Sequence, residues 1–528
     1  MKTIKYLAMA VLALSFGACS SDDDELTQQT VETGRTITIT AKLAPKSAIT
    51  RAVADNNDGE ITVTWAVGEK LAVTYYTDEG KREMGKATIT AVDESTGAAT
   101  FEFTLENGTQ LNQNSECTII YPYEAAEDDA TGLKTYSEFL SAQVGSLNAK
   151  LDVRVGAGTI SEITGGTGHA TGTMTITTQP QPKYAIFKFT VTTDGTNRFQ
   201  ANPFIVRSNG DLIATVTPPS SSELYVALPK TIGPTLEILA SDGEKTYRKS
   251  LTLKNSIEEG VFYQTTLKMG EGTPSKIDLS GYNDNDPIVA TDLSILTGKL
   301  NKNKKISIAD GATVVLNNVD INGSVYWWDC AYAGITCEGD ATIILAGGTS
   351  GENTVMGFHK DYPGIFVPVG KTLTIQGTNY DFLTVSSNTH YTSNFGAGIG
   401  GGNAIPCGNI VIKGGNITAT GGSGAAGIGG GGSANCGNIE ITGGVINATG
   451  GAGAVGIGSG SNGSTCENIT ITNTVYSVLS TAGANATYTL GASVGGSCGT
   501  ITIGGTVWNQ SQFGVNGELN YFSCHGEN

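Results

Sequence analysis

The C-terminal half of the chain repeats one short pattern at a nearly constant interval. Gly-Ile pairs recur at spacings of 30, 34, 29 and 29 residues, at 334–335, 364–365, 398–399, 427–428 and 456–457. Triplets with apolar first and third residues, such as Ile439-Glu-Ile441, follow the same interval. A fixed period of this length indicates a repeat architecture, in which each unit buries its apolar face only against its neighbours.

Short strands and glycine-rich corners predict which repeat this is. Gly accounts for 72 of the 528 residues, about twice the usual share, and no segment beyond the first nineteen residues shows helical periodicity over three turns. We therefore expect a parallel β-helix over residues 291–528, with coils stacked about 4.8 Å apart. The handedness rule for parallel crossovers predicts that it is right-handed.

The first residues predict export and a lipid anchor. Lys2 and Lys5 precede an apolar run of about ten residues that is too short to span a bilayer, as in a signal peptide over residues 1–18. The small residues before Cys19 resemble a lipobox, which implies cleavage before Cys19 and its acylation. An incidental Cys behind an ordinary secretory signal is the alternative. The acidic tether over 19–35 resembles the surface-export tag of Gram-negative lipoproteins.

Alternation of apolar and polar residues predicts β-strands between the tether and the repeats. Ile37, Ile39, Ala41 and Leu43 share one face of a strand over 36–43. Similar segments recur as far as residue 269, and a Pro-rich stretch at 179–182 indicates a joint. The expected fold is all-β: antiparallel β-sandwiches over 36–180 and 181–269, a linker over 270–290, and then the β-helix.

The order of several motifs in this region resembles that of fimbrillin-type pilins. The motifs are the strand 36–43, Thr50-Arg51-Ala52, Thr64-Trp65 before Gly68-Glu69-Lys70-Leu71, Tyr184–Val191, and Val261–Leu267. The resemblance covers residues 30–269. It implies that an Arg-specific protease cuts after Arg51, and that a donor strand from a neighbouring subunit replaces the first strand. A pilin would end on its donor strand, but here the repeats follow, which favours a terminal subunit.

Four cysteines follow the repeat interval. Cys407, Cys436, Cys466 and Cys498 are 29, 30 and 32 residues apart, so we expect them to stack on one face of the β-helix. Side chains in register point the same way, which makes a disulfide dihedral awkward. A buried ladder of free thiols is the favoured interpretation, and disulfides between adjacent coils are the alternative. Cys330 and Cys337 are a candidate disulfide pair.

An aromatic cluster is the candidate ligand-binding surface. It consists of Tyr326, Trp327, Trp328 and Tyr332. Adjacent residues of a strand point to opposite faces, so the two Trp cannot both be core. Exposed aromatic rings on a regular β surface suit stacking on sugar rings. The alternative is that the cluster covers the open end of the β-helix.

Composition and motifs argue against several other functions. A net charge of −18 disfavours nucleic acid. Gly396-Ala-Gly398-Ile-Gly400-Gly401 fits a dinucleotide fingerprint, but no helix follows it, so no cofactor is expected. Residues 382–528 contain no Asp and the chain contains no Cys-x-x-Cys, which disfavours calcium and zinc sites. No catalytic residue is assigned.

The resulting hypothesis is a non-enzymatic, lipid-anchored adhesin at the cell outer membrane, with a place at the tip of a fimbrium. Its expected partners are membrane lipid through Cys19, other pilin subunits, and a glycan or host-surface ligand. Two alternatives stay open: a monomeric glycan-binding lipoprotein, and an enzyme that acts on polysaccharides.

The variants Trp327→Ala and Trp328→Ala distinguish between the two interpretations of the aromatic cluster: a surface that binds sugar, and a cap over the open end of the β-helix. We expect replacement of the outward Trp to abolish glycan binding. Replacement of the inward Trp should lower the free energy of unfolding by about 3–5 kcal/mol if that side chain is fully buried. Melting temperature and glycan-array binding of both variants test this. If both variants lose stability and neither changes binding, the cluster is a cap.

Overall fold

The structure is a computed structural model, and nearly all of its regular structure is β-strand. It describes residues 36–46, 50–51, 63–77, 79–105, 115–127, 130, 132–165, 169–216, 221–282, 286–300, 304–322, 330–346, 352–390, 393–515 and 521–523. Within these ranges the one α-helix is the four-residue α1 (Tyr136–Phe139). The expectation of an all-β fold is confirmed.

Seven strands form a closed barrel at the N-terminal end. In chain order they are β1 (Thr36–Leu43), β3 (Lys70–Tyr76), β4 (Arg82–Val92), β5 (Ala99–Leu105), β6 (Glu116–Tyr121), β8 (Arg154–Gly165) and β9 (His169–Pro182). Around the barrel the order is β1-β5-β4-β3-β6-β8-β9. All neighbours are antiparallel except β1 and β9, whose parallel pairing closes the sheet.

A sandwich of antiparallel sheets was expected for residues 36–180. This prediction was wrong about the arrangement of the strands, which form a closed barrel. The reason is that β1 pairs along both of its edges, so one continuous sheet closes on itself. The Pro-rich stretch at 179–182 lies in the last residues of β9, which pair with the start of β8.

Two sheets pack around a second core. One has the order β13-β10-β16-β2 and the other β17-β15-β14-β11-β12-β7. Their strands are β2 (Thr50–Arg51), β7 (Ala142–Gln143), β10 (Ala185–Thr192), β11 (Phe204–Ser208), β12 (Asp211–Val216), β13 (Glu223–Leu228), β14 (Thr235–Ser241), β15 (Lys245–Thr252), β16 (Val261–Lys268) and β17 (Thr273–Pro274). Phe187, Phe189 and Phe204 are fully buried between the sheets. Thus β2 and β7, which precede residue 180, complete the sheets of the second unit.

The remaining strands belong to two long sheets built almost wholly from parallel pairs. The eight-stranded sheet has the order β19-β21-β23-β26-β29-β32-β35-β38. Its strands are β19 (Ile288–Ala290), β21 (Ile306–Ile308), β23 (Ile335–Cys337), β26 (Ile365–Phe366), β29 (Ile399–Gly400), β32 (Ile428–Gly429), β35 (Ile457–Gly458) and β38 (Leu490–Gly491).

The sixteen-stranded sheet branches at the long strand β22, so two parallel ladders leave it. One runs through β22-β24-β27-β30-β33-β36-β39 and the other through β22-β25-β28-β31-β34-β37. The strands are β18 (Lys276–Asp278), β20 (Ile295–Lys299), β22 (Thr313–Ile321), β24 (Ala341–Ala346), β25 (Glu352–Met356), β27 (Thr372–Gln376), β28 (Phe382–Ser386), β30 (Asn409–Ile412), β31 (Asn416–Thr420), β33 (Ile439–Ile441), β34 (Val445–Thr449), β36 (Ile469–Ile471), β37 (Ser477–Thr481), β39 (Ile501–Ile503), β40 (Thr506–Trp508) and β41 (Tyr521–Ser523).

The sequence repeat sets the register of these ladders. Ile365 pairs with Ile399, Ile399 with Ile428, and Ile428 with Ile457, so each Gly-Ile pair lies beside its counterpart in the next repeat. Gly429 shows why glycine recurs here. Its φ is +129°, and a Cβ atom on it would overlap the Gly458 carbonyl oxygen of the next strand. One apolar core runs along the stack.

Residues 270–290 contain regular structure where a linker was expected. β18 pairs with β20 and β19 pairs with β21, so the parallel ladders begin inside this range. Short alternating segments such as Lys276–Asp278 carry too weak a pattern to be recognised without the strands they pair with.

Candidate functional site

The first barrel holds its N-terminal strand along both edges. β1 pairs antiparallel with β5, from Ile37 opposite Leu105 to Leu43 opposite Ala99. Its other edge pairs parallel with β9 between residues 36–41 and 169–174. Removing β1 would therefore leave two neighbouring strands with unpaired backbone groups and a slot between them.

The inward face of β1 completes the core of the barrel. All four residues expected on this face are buried: Ile37, Ile39, Ala41 and Leu43. They belong to one cluster with Phe101 and Phe103 of β5. Burial of each large apolar side chain contributes about 1.5–3 kcal/mol. The barrel core therefore depends on this strand, or on a strand with a similar inward face.

Contacts beyond the end of β1 fix the chain that leads away from it. The Ala44 carbonyl accepts a hydrogen bond of 2.9 Å from the Trp65 indole, and the Ala44 amide donates to the Gln179 side chain at 3.0 Å. Trp65 is buried and meets the Tyr121 ring edge-on, with centroids 5.2 Å apart. Trp65 thus holds the chain at the point where it leaves the end of β1.

A buried charge cluster lies at the same end of the barrel. Lys46 Nζ is 3.4 Å from a carboxylate oxygen of Glu69 and 3.4 Å from one of Asp152. Arg154 Nε donates to the other oxygen of Asp152 at 2.7 Å. Burial lowers the pKa of Lys46 below its usual value, although Asp152 and Glu69 oppose the shift, and burial raises the pKa of Asp152.

Sequence reasoning missed this cluster. Asp152 and Arg154 are two residues apart, but Lys46 reaches them only through the barrel closure, which no local pattern encodes. An Asp-x-Arg at the start of a strand places both side chains on one face and was the available signal.

The predicted cleavage residue lies in a short edge strand. The backbone of Arg51 belongs to β2, which pairs in parallel with Val261 and Phe262 of β16. β2 is the last strand of its sheet. Residues 52–62, which include the polar stretch expected to be accessible to proteases, lie outside the described residues. So does Cys19, the predicted lipidation site.

Only one member of the aromatic cluster lies in the described residues. Tyr326, Trp327 and Trp328 fall outside them. Tyr332 is partly buried against the core of the parallel stack, with its ring centroid 5.2 Å from that of Phe358. Burial raises the pKa of the Tyr332 hydroxyl, and a hydrogen bond with Cys330 adds to the shift. The sugar-platform prediction stays a prediction.

The repeat cysteines stack as expected. Cys436 forms a parallel bridge with Cys466, and Cys466 with Cys498. The thiols of Cys407 and Cys436 each donate to a glycine carbonyl at 3.2 Å, and all four cysteines are free. Burial raises the pKa of the Cys407 thiol to about 12.

The expected pair of Cys330 and Cys337 is not formed, and both thiols are free. Cys337 lies in β23 and points into the fully buried core, where burial raises its pKa to about 12. Cys330 is only partly buried and lies beside Tyr332. The spacing of seven residues gave no information on this difference in burial.

A cavity between the second unit and the parallel stack was also missed by sequence reasoning. Its volume is about 360 Å³, and Tyr136, Lys413, Thr442 and Tyr476 are among the residues that line it. An adjoining cavity of about 400 Å³ includes Gln376, which donates to the Gly210 carbonyl at 3.0 Å. The buried Gln376 Oε1 accepts no hydrogen bond from the described residues. Long-range packing builds both cavities.

Neither a metal centre nor a membrane-spanning helix is found in the described part of the chain. Nowhere in it do three His, Cys, Asp or Glu side chains converge in a way that could hold a metal ion. None of its helices has the length and hydrophobicity needed to cross a bilayer.

Comparison with known proteins gives remote structural neighbours only. A fimbrial protein from Bacteroides ovatus is 12% identical with a TM-score of 0.22, and the match covers 46% of this chain and about half, 50%, of that one. A "putative cell adhesion protein" from Bacteroides fragilis is 12% identical with a TM-score of 0.24 over 44% of this chain and 92% of that one. Another from Bacteroides ovatus is 17% identical with a TM-score of 0.25 over 45% and 94%.

No protein-family profile and no curated protein matches the chain. The structural neighbours share the description of fimbrial or cell adhesion proteins, but TM-scores of 0.22 to 0.25 carry no argument about this chain.

Truncation of the inward face of β1 should destabilise the barrel. We expect Ile39→Ala to lower the free energy of unfolding by about 2–5 kcal/mol, because it leaves a cavity in a closed core. The outward Thr40→Ala is the matched control and should change stability by at most about 0.5 kcal/mol. Urea unfolding of the full chain measures both. Equal midpoints would show that β1 does not support the core.

Alkylation of the cysteines tests the thiol ladder. A thiol with a pKa near 12 stays protonated at pH 8, so Cys407 should resist a thiol-alkylating reagent in the native chain and react after denaturation without reductant. The partly buried Cys330 is the native-state comparison and should react faster. Peptide mass spectrometry reads out each site. Cysteines that react only after reduction would instead establish disulfides between coils.

Proposed function

We propose that the chain is a non-enzymatic adhesin of the bacterial cell surface and a subunit of a fimbrium, at its tip. Acyl chains on Cys19 would hold it in the outer membrane, and the acidic tether would lie on the outer side. The anchor and the location rest on the sequence pattern of residues outside the described part of the structure.

The observation that carries the proposal is the insertion of β1 between β5 and β9. A strand that is paired on both edges and buries alternate side chains can be replaced by another strand with the same alternation. Backbone pairing supplies the affinity, and the pockets now filled by Ile37, Ile39 and Leu43 supply the register. Subunits would assemble by this exchange of donor strands.

Cleavage after Arg51 would prepare the chain for exchange. The cut lies between β1 and the rest of the barrel, so it turns the first strand into a separate peptide held by noncovalent contacts alone. Arg51 ends a two-residue strand at the edge of its sheet, directly before the polar stretch expected to be accessible to proteases. A cut after Arg35 would leave β1 attached and would open no slot.

We further propose that the parallel stack is a right-handed β-helix that presents the ligand-binding surface. Support comes from the three parallel ladders, to which successive repeats each contribute one strand at the same register. The aromatic cluster around Trp327 and Trp328 is the proposed surface, and its ligand would be a glycan or another host-surface molecule.

The second candidate is a monomeric glycan-binding lipoprotein. The cavities beside Gln376 favour it, because hydroxyl and amide groups line a space of several hundred cubic ångströms. Fractionation of fimbriae separates the two candidates. Co-purification with polymerised shafts supports the fimbrial subunit, and its absence supports the monomer.

Limited trypsin treatment tests maturation. We expect the first cut after Arg51, so that the new chain begins at Ala52. Arg51→Gln should abolish this product, whereas Arg35→Gln, the matched control, should leave it unchanged. N-terminal sequencing of surface-released protein is the second readout. Protein that begins at Thr36, or that remains intact through residue 51, would contradict strand exchange after cleavage.

A further inference from the structure

A lysine amine and an aspartate carboxyl group face each other inside the first barrel. Lys46 exposes 3% of its side chain and Asp152 exposes 6%, and Lys46 Nζ lies 3.4 Å from Asp152 Oδ2. We propose that these side chains condense into an intramolecular amide that ties the segment after β1 to the start of β8. This inference goes beyond the proposed function, because it concerns a covalent modification of the chain.

The two oxygens of Asp152 have different surroundings. Arg154 Nε donates to Oδ1 at 2.7 Å, and the Arg154 side chain is fully buried. Oδ2 is buried, faces the amine at an ion-pair distance, and accepts no hydrogen bond from the described residues. Oδ1 is therefore the oxygen on which negative charge can develop, stabilised by the guanidinium, and Oδ2 is the oxygen that leaves.

The surroundings of the amine favour its reaction. Lys46 Nζ lies 4.3 Å from the ring centroid of Trp65 and 3.9 Å from that of Tyr121, so aromatic groups replace much of its hydration. Burial lowers the pKa of Lys46 and raises the pKa of Asp152, which favours the neutral amine and the neutral acid. A desolvated amine is the nucleophilic form of lysine, and fixed proximity removes the entropic cost of encounter.

Glu69 is placed to move the protons. Its carboxylate oxygens lie 3.4 and 3.5 Å from Lys46 Nζ, and it is held there by the Tyr121 hydroxyl at 2.5 Å and the Ala66 amide at 3.0 Å. In the condensation, a bond forms between Nζ and Asp152 Cγ, and the bond from Cγ to Oδ2 breaks. One proton of the neutral amine and the proton of the neutral carboxyl group leave with that oxygen as water, and Glu69 relays the proton from Nζ. The step needs no oxidant or other reactant.

The amide would decide whether β1 can leave. Lys46 lies on the N-terminal side of Arg51, so a chain that carries the amide retains β1 after cleavage at Arg51, even when denatured. Only a chain without the amide can exchange the strand. Condensation would therefore keep a subunit out of assembly by strand exchange, because its slot stays filled.

Peptide mapping of the full-length protein tests the amide. Trypsin should release one branched product, residues 43–51 joined to 151–154, whose mass is about 18 Da below the sum of the two peptides because water is lost. Trypsin should not cut after Lys46, because its amine is blocked. A cut after Lys46 together with a free 151–154 peptide of unmodified mass would overturn the proposal.

Variants assign the roles. Lys46→Met and Asp152→Ala should each abolish the branched peptide. Lys70→Met should retain it, because Lys70 lies on the neighbouring β3 and donates to the Thr88 hydroxyl. Glu69→Gln should lower the linked fraction at least tenfold at early times; the same rate as in the wild type would contradict the role of Glu69. The wild-type peptide decides the proposal even if a variant fails to fold.

The test is independent of the proposed function. A new N-terminus at Ala52 without the branched peptide would support maturation and overturn the amide. A branched peptide in a chain that no Arg-specific protease cuts would support the amide and contradict maturation.

Discussion

Backbone pairing on both edges of β1 is the constraint on which the first barrel depends. A closed sheet has no free edge, and here closure is achieved by one strand that is antiparallel to β5 and parallel to β9. The same strand supplies four of the side chains in the barrel core. The first strand that the structure describes thus supplies both the backbone pairing that closes the barrel and part of its core.

The parallel stack satisfies the same requirement in a different way. Each strand pairs with its counterparts in the repeats before and after it. The backbone N–H and C=O groups of the stack therefore find their hydrogen-bond partners in many short ladders. At its C-terminal end the ladders finish with antiparallel pairs, β39 with β40 and β37 with β41. The chain therefore joins a barrel that is closed by one strand to a stack in which successive repeats support one another.

Local patterns predicted the parts of the fold that depend on sequence neighbours. Alternation placed Ile37, Ile39 and Leu43 on the buried face, and the Gly-Ile spacing predicted the register of the ladders. Closure of the barrel was not predictable in this way, because the pairing of β1 with β9 joins residues more than a hundred positions apart. The charge cluster of Lys46, Asp152 and Arg154 was hidden for the same reason. The different burial of Cys330 and Cys337 arises because Cys337 alone lies in a strand of the buried core.

Strand exchange is tested most directly by asking whether the slot left by β1 accepts a strand. The Lys46→Met chain, in which no amide can retain the strand, would be cut after Arg51 and freed of residues 36–51. A labelled peptide of residues 36–43 would then be added, with an Ile39→Asp peptide as the control. Strand exchange predicts saturable binding of the first peptide, renewed protection of β5 and β9 amides against hydrogen exchange, and no binding of the control. Amides of β5 and β9 that stay protected without any peptide would contradict it.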